Sequence, residues 1–286
     1  MDPVKKIDLH MHTTFSDGTD TPAEILKRVK ETGLTVFSVT DHDSVGAAGV
    51  MAELRSVNDP FFISGAEFSC RDEDGQYHIL GYGYDPDGKS VRELAAKAHE
   101  LRMKKVRRRL EIVRTEYGCI FPEEEIEKLL QLDNPGKPHI ANLMVRYGYA
   151  ESKDKAMKEV LNRIHFPSDQ FRPEEAIAAI LKSRGVPVLA HPFYGNGDQL
   201  ILGEEMEQRL KKLMGMGLEG VEAFYSGFTA KLRNIMLDMA AANGLYVTAG
   251  SDYHGKNKPV RLGDTGLDEV EEMPEGLMRF LRRVRG

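Results

Sequence analysis

Short apolar runs alternate with amphipathic helical patterns at both ends of this chain, and that rhythm admits very few folds. KKIDLH, residues 5–10, reads as a strand. TPAEILKRVKETG follows as a helix, with Thr21 as N-cap, Pro22 at the first helical position and Gly33 as the stop. The strand TVFSVTDH, the helix SVGAAGVMAELRSV and the strand FFISGAEFSC come next. QYHILGYGY is a further strand after a hairpin turn at DEDG. The order resumes with RPEEAIAAILKSRG (helix), VPVLAHP (strand), EEMEQRLKKLMGMG (helix), LEGVEAFYS (strand), TAKLRNIMLDMAAANG (helix) and LYVTAGSDYH (strand). EGLMRFLRRVR closes the chain as a helix. About seven strands, most of them linked by helices, imply an α/β fold with a parallel sheet. Their number predicts a barrel rather than an open doubly wound sheet.

Residues 100–171 break the pattern with charged helical segments and no convincing strand. ELRMKKVRRRLEIVRTEYG, FPEEEIEKLLQ, GKPHIANLMVRYG and SKDKAMKEVLNRI read as four helices. The expected organisation is therefore a barrel of residues 1–99 and 172–286, interrupted by a small all-helical insertion, residues 100–171. A length of 286 residues suits one large domain with an insert. The formal charge of −6 disfavours non-specific binding to nucleic acid or to anionic membranes. Two cysteines, Cys70 and Cys119, exclude a disulfide framework, and a cytoplasmic setting is expected. No run approaches the ~20 apolar residues of a membrane span, and the opening MDPVKKID lacks the apolar centre of a signal peptide.

The chemistry gathers where strands end. The first strand gives His10 and His12 and its following turn Asp17; the second gives Asp41, His42 and Asp43, the third Glu67 and the fourth His78. His191 lies near the end of VPVLAHP, and Asp252 and His254 lie in GSDYH. Six of the nine histidines fall at such positions, whereas His99 and His165 read as surface decoration. In a parallel barrel the carboxyl ends of the strands converge on one mouth. Residues two apart in a strand face the same side, so both rings of His10-Met11-His12 can reach one ion. Imidazoles and carboxylates without thiolates suit Mn²⁺, Fe²⁺ or Zn²⁺.

In combination, DLHMHTTFSDG, TDHDS, GAEFS, AHP and SDYHG resemble the motifs of the PHP (polymerase and histidinol phosphatase) superfamily, in its branch with a helical insertion after the fourth strand. The resemblance implies a distorted (β/α)7 barrel that hydrolyses phosphate esters with up to three divalent ions, Mn²⁺ first among them. It implies one ion held by His10, His12, Glu67 and Asp252. A second would use His78 and His191, with Glu67 bridging, and a third Asp17, His42 and His254. A carboxylate bridging two cations frames hydrolysis by metal-activated water. Asp252 is a candidate proton acceptor, and His191 or His254 a candidate donor to the leaving group. Asp41 and Asp43 are candidates to orient the His42 ring, with an N-cap for the helix beginning near Ser44 the equal alternative for Asp43.

Substrate contacts are expected from the insertion and the mouth. Lys104 and Arg108 share one face of the basic helix, with Arg107 beside them; a solvated face is the alternative. Pro138 opens a helix whose free N–H groups suit an anion, with Lys137 and His139 adjacent, or the residues simply cap it. Tyr194 and Asn196 in HPFYGNGD, and Ser226 in AFYSG, lie near the mouth. The expected substrate is a small nucleotide or phosphorylated sugar, cyclic phosphodiesters included, with inorganic phosphate as product. Histidinol phosphate and the ends of short oligonucleotides are the other enzymatic readings, and a non-catalytic metal-binding accessory module is the alternative of a different class. No membrane, extended nucleic acid or protein partner is implied.

Overall fold

The computed structural model describes residues 6–132, 134–166, 170–195 and 200–285. Seven strands form one sheet in sequence order: β1 (Ile7–Asp8), β2 (Val36–Val39), β3 (Phe61–Asp72), β4 (Gly75–Tyr82), β5 (Val186–Leu189), β6 (Gly220–Tyr225) and β7 (Tyr246–Gly250). Leu9 N donates to Ala249 O at 2.8 Å and Asp252 N to His10 O at 2.8 Å, which brings the first and last strands together in a nearly closed barrel. β2 and β5 are buried at every position, as strands covered on both faces must be.

The sheet is not parallel throughout. β4 runs antiparallel to both neighbours, with Ser69 opposite His78 and Leu80 opposite Val188. The cause is local: two residues separate β3 from β4, enough for a hairpin and far too few for a parallel crossover. The other joins carry helices: α1 (Pro22–Thr32), α2 (Gly46–Leu54), α7 (Pro173–Lys182), α8 (Gly203–Gly215) and α9 (Ala230–Ala242), with α10 (Glu275–Arg285) last. In α1 the Thr21 side chain accepts from Glu24 N while Glu24 accepts from Thr21 N at 2.8 Å, and Gly33 closes it at φ 69°.

Between β4 and α7 lie α3 (Lys89–Thr115), α4 (Glu123–Leu130), α5 (Lys137–Arg146) and α6 (Lys153–Lys155), the last continuing as a π-helical turn over Ala156–Leu161. α3 begins well before residue 100. Its first half packs Val91, Leu94 and Ala98 into the barrel core, and its second half packs Val106, Ile112 and Val113 against Ile140, Met144 and Leu161. One continuous helix thus joins two hydrophobic clusters. The chain returns at Phe171, whose carbonyl accepts from Arg71 N at 2.7 Å. Cys70 and Cys119 are buried free thiols. Among the described residues no helix is long and apolar enough to cross a membrane.

Candidate metal centre

Extended backbone beyond β1 brings His10 and His12 into the barrel interior, where both are fully buried. Residues 13–18 then turn back sharply, with Thr13 O accepting from Ser16 N and Gly18 N. A Cβ at Gly18 would lie 2.3 Å from His12 O, so only glycine fits. Asp41 holds this turn, accepting from Thr13 N and Oγ1 at 2.7 Å each and from Ser16 Oγ at 2.5 Å. Buried Asp8 accepts from Ser251 N, Ser251 Oγ and Gly263 N at 2.9, 2.6 and 2.8 Å, pinning β1 to the loop that carries Asp252 and His254. Burial pushes the Asp8 carboxyl up to about 6 against the pull of those bonds. Asp43, His191 and Asp252 adopt positive φ (54°, 28° and 59°). Such backbone costs ~1–3 kcal/mol per residue and persists only where its surroundings enforce it.

Glu67 is the hub. Its Oε2 lies 3.2, 3.3 and 3.1 Å from His10 Nε2, His12 Nε2 and His42 Nδ1. Its Oε1 lies 2.9 and 3.2 Å from His78 Nδ1 and His191 Nε2. Asp252 Oδ1 stands 3.6, 3.4 and 3.3 Å from His10 Nε2, His12 Nε2 and His254 Nδ1, and Asp17 Oδ1 stands 3.2 Å from His254 Nε2. Ligating atoms lie within 4.8 Å of one another in three overlapping groups: His10, His12 and Glu67; His42, Glu67 and His78; and His12, Asp17, His42 and His254. The chain thus brings together every residue that the resemblance nominates for metal.

The donor set fits divalent cations on a structural observation. His12 Nε2, Asp17 Oδ1 and His42 Nδ1 are buried without a hydrogen bond, although ligating atoms surround them. Buried polar atoms are ordinarily paired, so lone pairs converging in this way answer to a cation between them. Electrostatics agree. Burial pulls the His12 imidazole down, but the facing Asp252 and Glu67 carboxylates outweigh it and hold the ring at about 9. Burial likewise opposes His10, and Glu222, Glu67 and Asp252 carry it well above its ordinary value. Burial dominates at His42 and lowers it to about 3, against Glu67 and Asp17. Burial raises the Glu67 carboxyl, yet His42, His78 and His10 hold it well below the usual carboxylate range.

Ligation needs neutral imidazole, and near pH 7 the metal-free chain keeps His12 protonated and His42 neutral. Mn²⁺ binding should therefore release protons at pH 7, fewer as pH rises past 9, with affinity increasing over that interval. Calorimetry in buffers of different ionisation enthalpy measures the release; uptake without proton release at pH 7 would contradict these charge states.

The PHP domain family model matches residues 8–215. This chain belongs to the PHP domain family. Curated relatives of this PHP domain include a phosphoribosyl 1,2-cyclic phosphate 1,2-diphosphodiesterase of Eggerthella lenta, 27% identical over 87% of this chain and 94% of that one. A 3′,5′-nucleoside bisphosphate phosphatase of Chromobacterium violaceum is 26% identical over 94% and 92%. A 5′-3′ exoribonuclease of Salmonella typhimurium is 29% identical over 90% and 87%. A solved structure from Bifidobacterium adolescentis, classed as a metal-dependent phosphoesterase, is 28% identical, covers 97% of this chain and 96% of its own, and superposes with a TM-score of 0.81.

A cleft of about 370 Å³ opens from Asp17, His42 and His78 of the PHP centre towards α3 and the start of α5. Its cations are Arg102, Lys105, Arg109 and Lys137. Lys104 and Arg108 are exposed on the other side of α3, and Arg108 pairs with Glu111 at 2.5 Å. The helix phase is set by Ala98 and Val106, which are buried, so residues 102, 105 and 109 share the face that looks into the cleft. Lys137 reaches the cleft and donates to Asn162 at 2.9 Å. His139 caps α5 instead of leaving an anion site: its Nδ1 accepts from Gly136 N and its own N–H is bonded to Gly136 O, both at 3.1 Å. Tyr194 lies in a side pocket beside His191 with its hydroxyl donating to Gly227 O at 2.8 Å, and Ser226 donates to Ser251 O at 2.7 Å. Asn196 lies outside the described residues.

Neither Asp41 nor Asp43 orients the His42 ring. Asp41 holds the 13–18 turn, and Asp43 accepts from Ser69 N at 2.9 Å and pairs with Arg102. The orienting carboxylate that sequence reasoning missed is Glu222, fully buried on β6. Its Oε1 meets His10 Nδ1 at 2.9 Å and its Oε2 accepts from His191 N at 2.8 Å. An acid inside the apolar run GVEAFY was the available signal. Also missed were Tyr225 and Lys258, which both donate to Asp252 Oδ2.

Proposed function

We propose that this PHP domain is a metal-dependent phosphoesterase acting on a small phosphorylated molecule, a nucleotide or sugar phosphate. The observation that carries the reading is the Glu67-centred ligand cluster opening directly into a cation-lined cleft. His10, His12, Glu67 and Asp252 would hold one divalent ion, His78 and His191 with Glu67 a second, and Asp17, His42 and His254 a third, with Mn²⁺ as the preferred metal. Bound there, divalent cations supply Lewis-acid charge and an activated water. The chain's own residues do the rest. Glu222 fixes the His10 ring and the His191 backbone, and Tyr225 and Lys258 hold the outer oxygen of Asp252, which leaves Oδ1 facing the cluster. With Oδ2 doubly engaged, Asp252 serves to hold metal rather than to accept a proton. His191 and His254 each have ring nitrogens facing ligand atoms inside the cluster, which suits them to holding metal as well.

The cleft explains the choice of an anionic substrate. Arg109 has a buried Nε without an acceptor and lies 5.3 Å from the centre of the Phe166 ring; burial and Arg102 lower it. Burial and Arg109 lower Lys137 in turn. Among the described residues neither has a carboxylate partner, so an anion in the cleft supplies the missing countercharge. Charged hydrogen bonds contribute ~1.5–3 kcal/mol, so Arg109→Ala or Lys137→Ala should raise KM roughly tenfold or more while metal content and kcat change little. Unchanged KM in both variants would remove the cleft from substrate binding.

The substrate class is tested by phosphate release across nucleoside monophosphates, nucleoside bisphosphates, cyclic nucleotides, sugar phosphates, histidinol phosphate and 5′-phosphorylated oligonucleotides. The highest kcat/KM is expected for small substrates with a second anionic group beyond the scissile phosphate. Preference for oligonucleotides would replace the small-substrate reading with an exonuclease reading, and release from none would refute the enzyme. Two unpaired buried thiols are in keeping with a cytoplasmic setting.

A further inference from the structure

We propose that the helical insertion positions the Asp17–His42–His254 corner of the metal centre, so that metal occupancy of that corner depends on two latches between insertion and barrel. This rests on the metal-centre reading above. The first latch joins α3 and the approach to α5 to the loop after β2. Arg102 pairs with Asp43, and Asn134 Nδ2 donates to His42 O. Asp43 is itself held at positive φ, with its amide donating to Glu67 O at 2.7 Å, so Arg102 grips a residue with little freedom beside the His42 ring.

The second latch runs through one asparagine. Lys153, at the start of α6, donates to Asn257 Oδ1, and Asn257 Nδ2 donates to Asp17 O at 2.6 Å. Asn257 ends the 3₁₀ turn Gly255–Asn257 that directly follows His254. A single side chain thereby ties the Asp17 turn, the His254 loop and the insertion together. All three loops that supply the corner are thus attached to helices outside the barrel. Outside the corner no such latch from the insertion is needed for Glu67 and His78, fixed by β-pairing, for His10 and His191, fixed by Glu222, or for Asp252, held by Tyr225 and Lys258. Two of the buried atoms without a hydrogen bond, Asp17 Oδ1 and His42 Nδ1, belong to the latched corner, whose loops take these tethers in addition to their bonds to Asp41, Asp8 and Glu67 O in the barrel.

Lys153→Met and Asn257→Ala break the second latch at residues that do not line the cleft. The readout is Mn²⁺ bound per full-length chain, by calorimetry and by elemental analysis after gel filtration, with melting of the metal-free protein as control. Partners that orient metal ligands contribute about 10–100-fold to affinity. Both variants should therefore weaken one class of Mn²⁺ by that factor, leave the tighter classes and the metal-free Tm unchanged, and regain binding in Lys153→Arg. Unaltered binding in both variants, or equal weakening of every class, would overturn the latch. Failure of the unaltered chain to bind Mn²⁺ at all would instead overturn the metal-centre reading beneath it.

Discussion

Glu67→Gln should empty the centre of divalent metal and lower kcat/KM by about 10³-fold or more, the several kcal/mol that metal-borne charge stabilisation supplies to phosphate transfer. Five imidazoles face the two oxygens of this one side chain at 2.9–3.3 Å, and no other carboxylate reaches both the His10–His12 pair and the His78–His191 pair among the described residues. The amide keeps the shape but loses the charge that neighbouring cations need, and its NH₂ points donors at atoms that must accept. The fold should survive because β3 is held by eight register pairs to β4 and by four to β2. Circular dichroism with elemental analysis separates loss of metal from loss of fold. A folded Glu67→Gln protein with full metal content and ordinary turnover would refute the bridging role.

Glu222→Gln should weaken metal binding by about 10–100-fold and lower kcat/KM with it, the range measured for groups that orient a ligand without touching the metal. The carboxylate accepts from His10 Nδ1, which fixes the tautomer and aims Nε2 at Glu67 and Asp252. The same side chain accepts from His191 N and so helps to enforce the positive φ there. The local build favours this close approach. β6 carries a register shift between Glu222 and Phe224, and a Cβ at Gly250 would lie 2.2 Å from His10 Cβ and 2.4 Å from Glu222 Oε1. Excess Mn²⁺ should restore much of the turnover in Glu222→Gln but little in Glu67→Gln. Equal rescue of both would erase the distinction between ligand and orienting residue.

Much of this was legible from strand ends. Strand-to-helix alternation located the barrel, and His10, His12, His42, His191 and Asp252 meet because a barrel converges where its strands finish, with Glu67 reaching them from the middle of long β3. His78 joins them by a different route: β4 is antiparallel, and pairing with Ser69 on long β3 carries it to the same pocket. What sequence left hidden depended on packing. The KKVRRR run offers a cation on every face of α3, and only the burial of Ala98 and Val106 decides that Arg102, Lys105 and Arg109 turn inward while Lys104 and Arg108 do not. Glu222 sits inside β6 rather than at its end, and Asp8 closes the two-residue β1 just before the His10–His12 pair; at both places an acid reads as an exception until its partners are seen. The role of Asp43 came from Arg102, fifty-nine positions away, a contact that no local spacing announces.

This PHP domain should hydrolyse phosphate esters only with divalent metal held at the Glu67 cluster. Phosphate release from a nucleoside bisphosphate by chelator-stripped protein, measured before and after Mn²⁺ is returned, measures that dependence. No release is expected when stripped, with recovery on Mn²⁺ addition and no recovery in Glu67→Gln. Release that is equal with and without metal would contradict it.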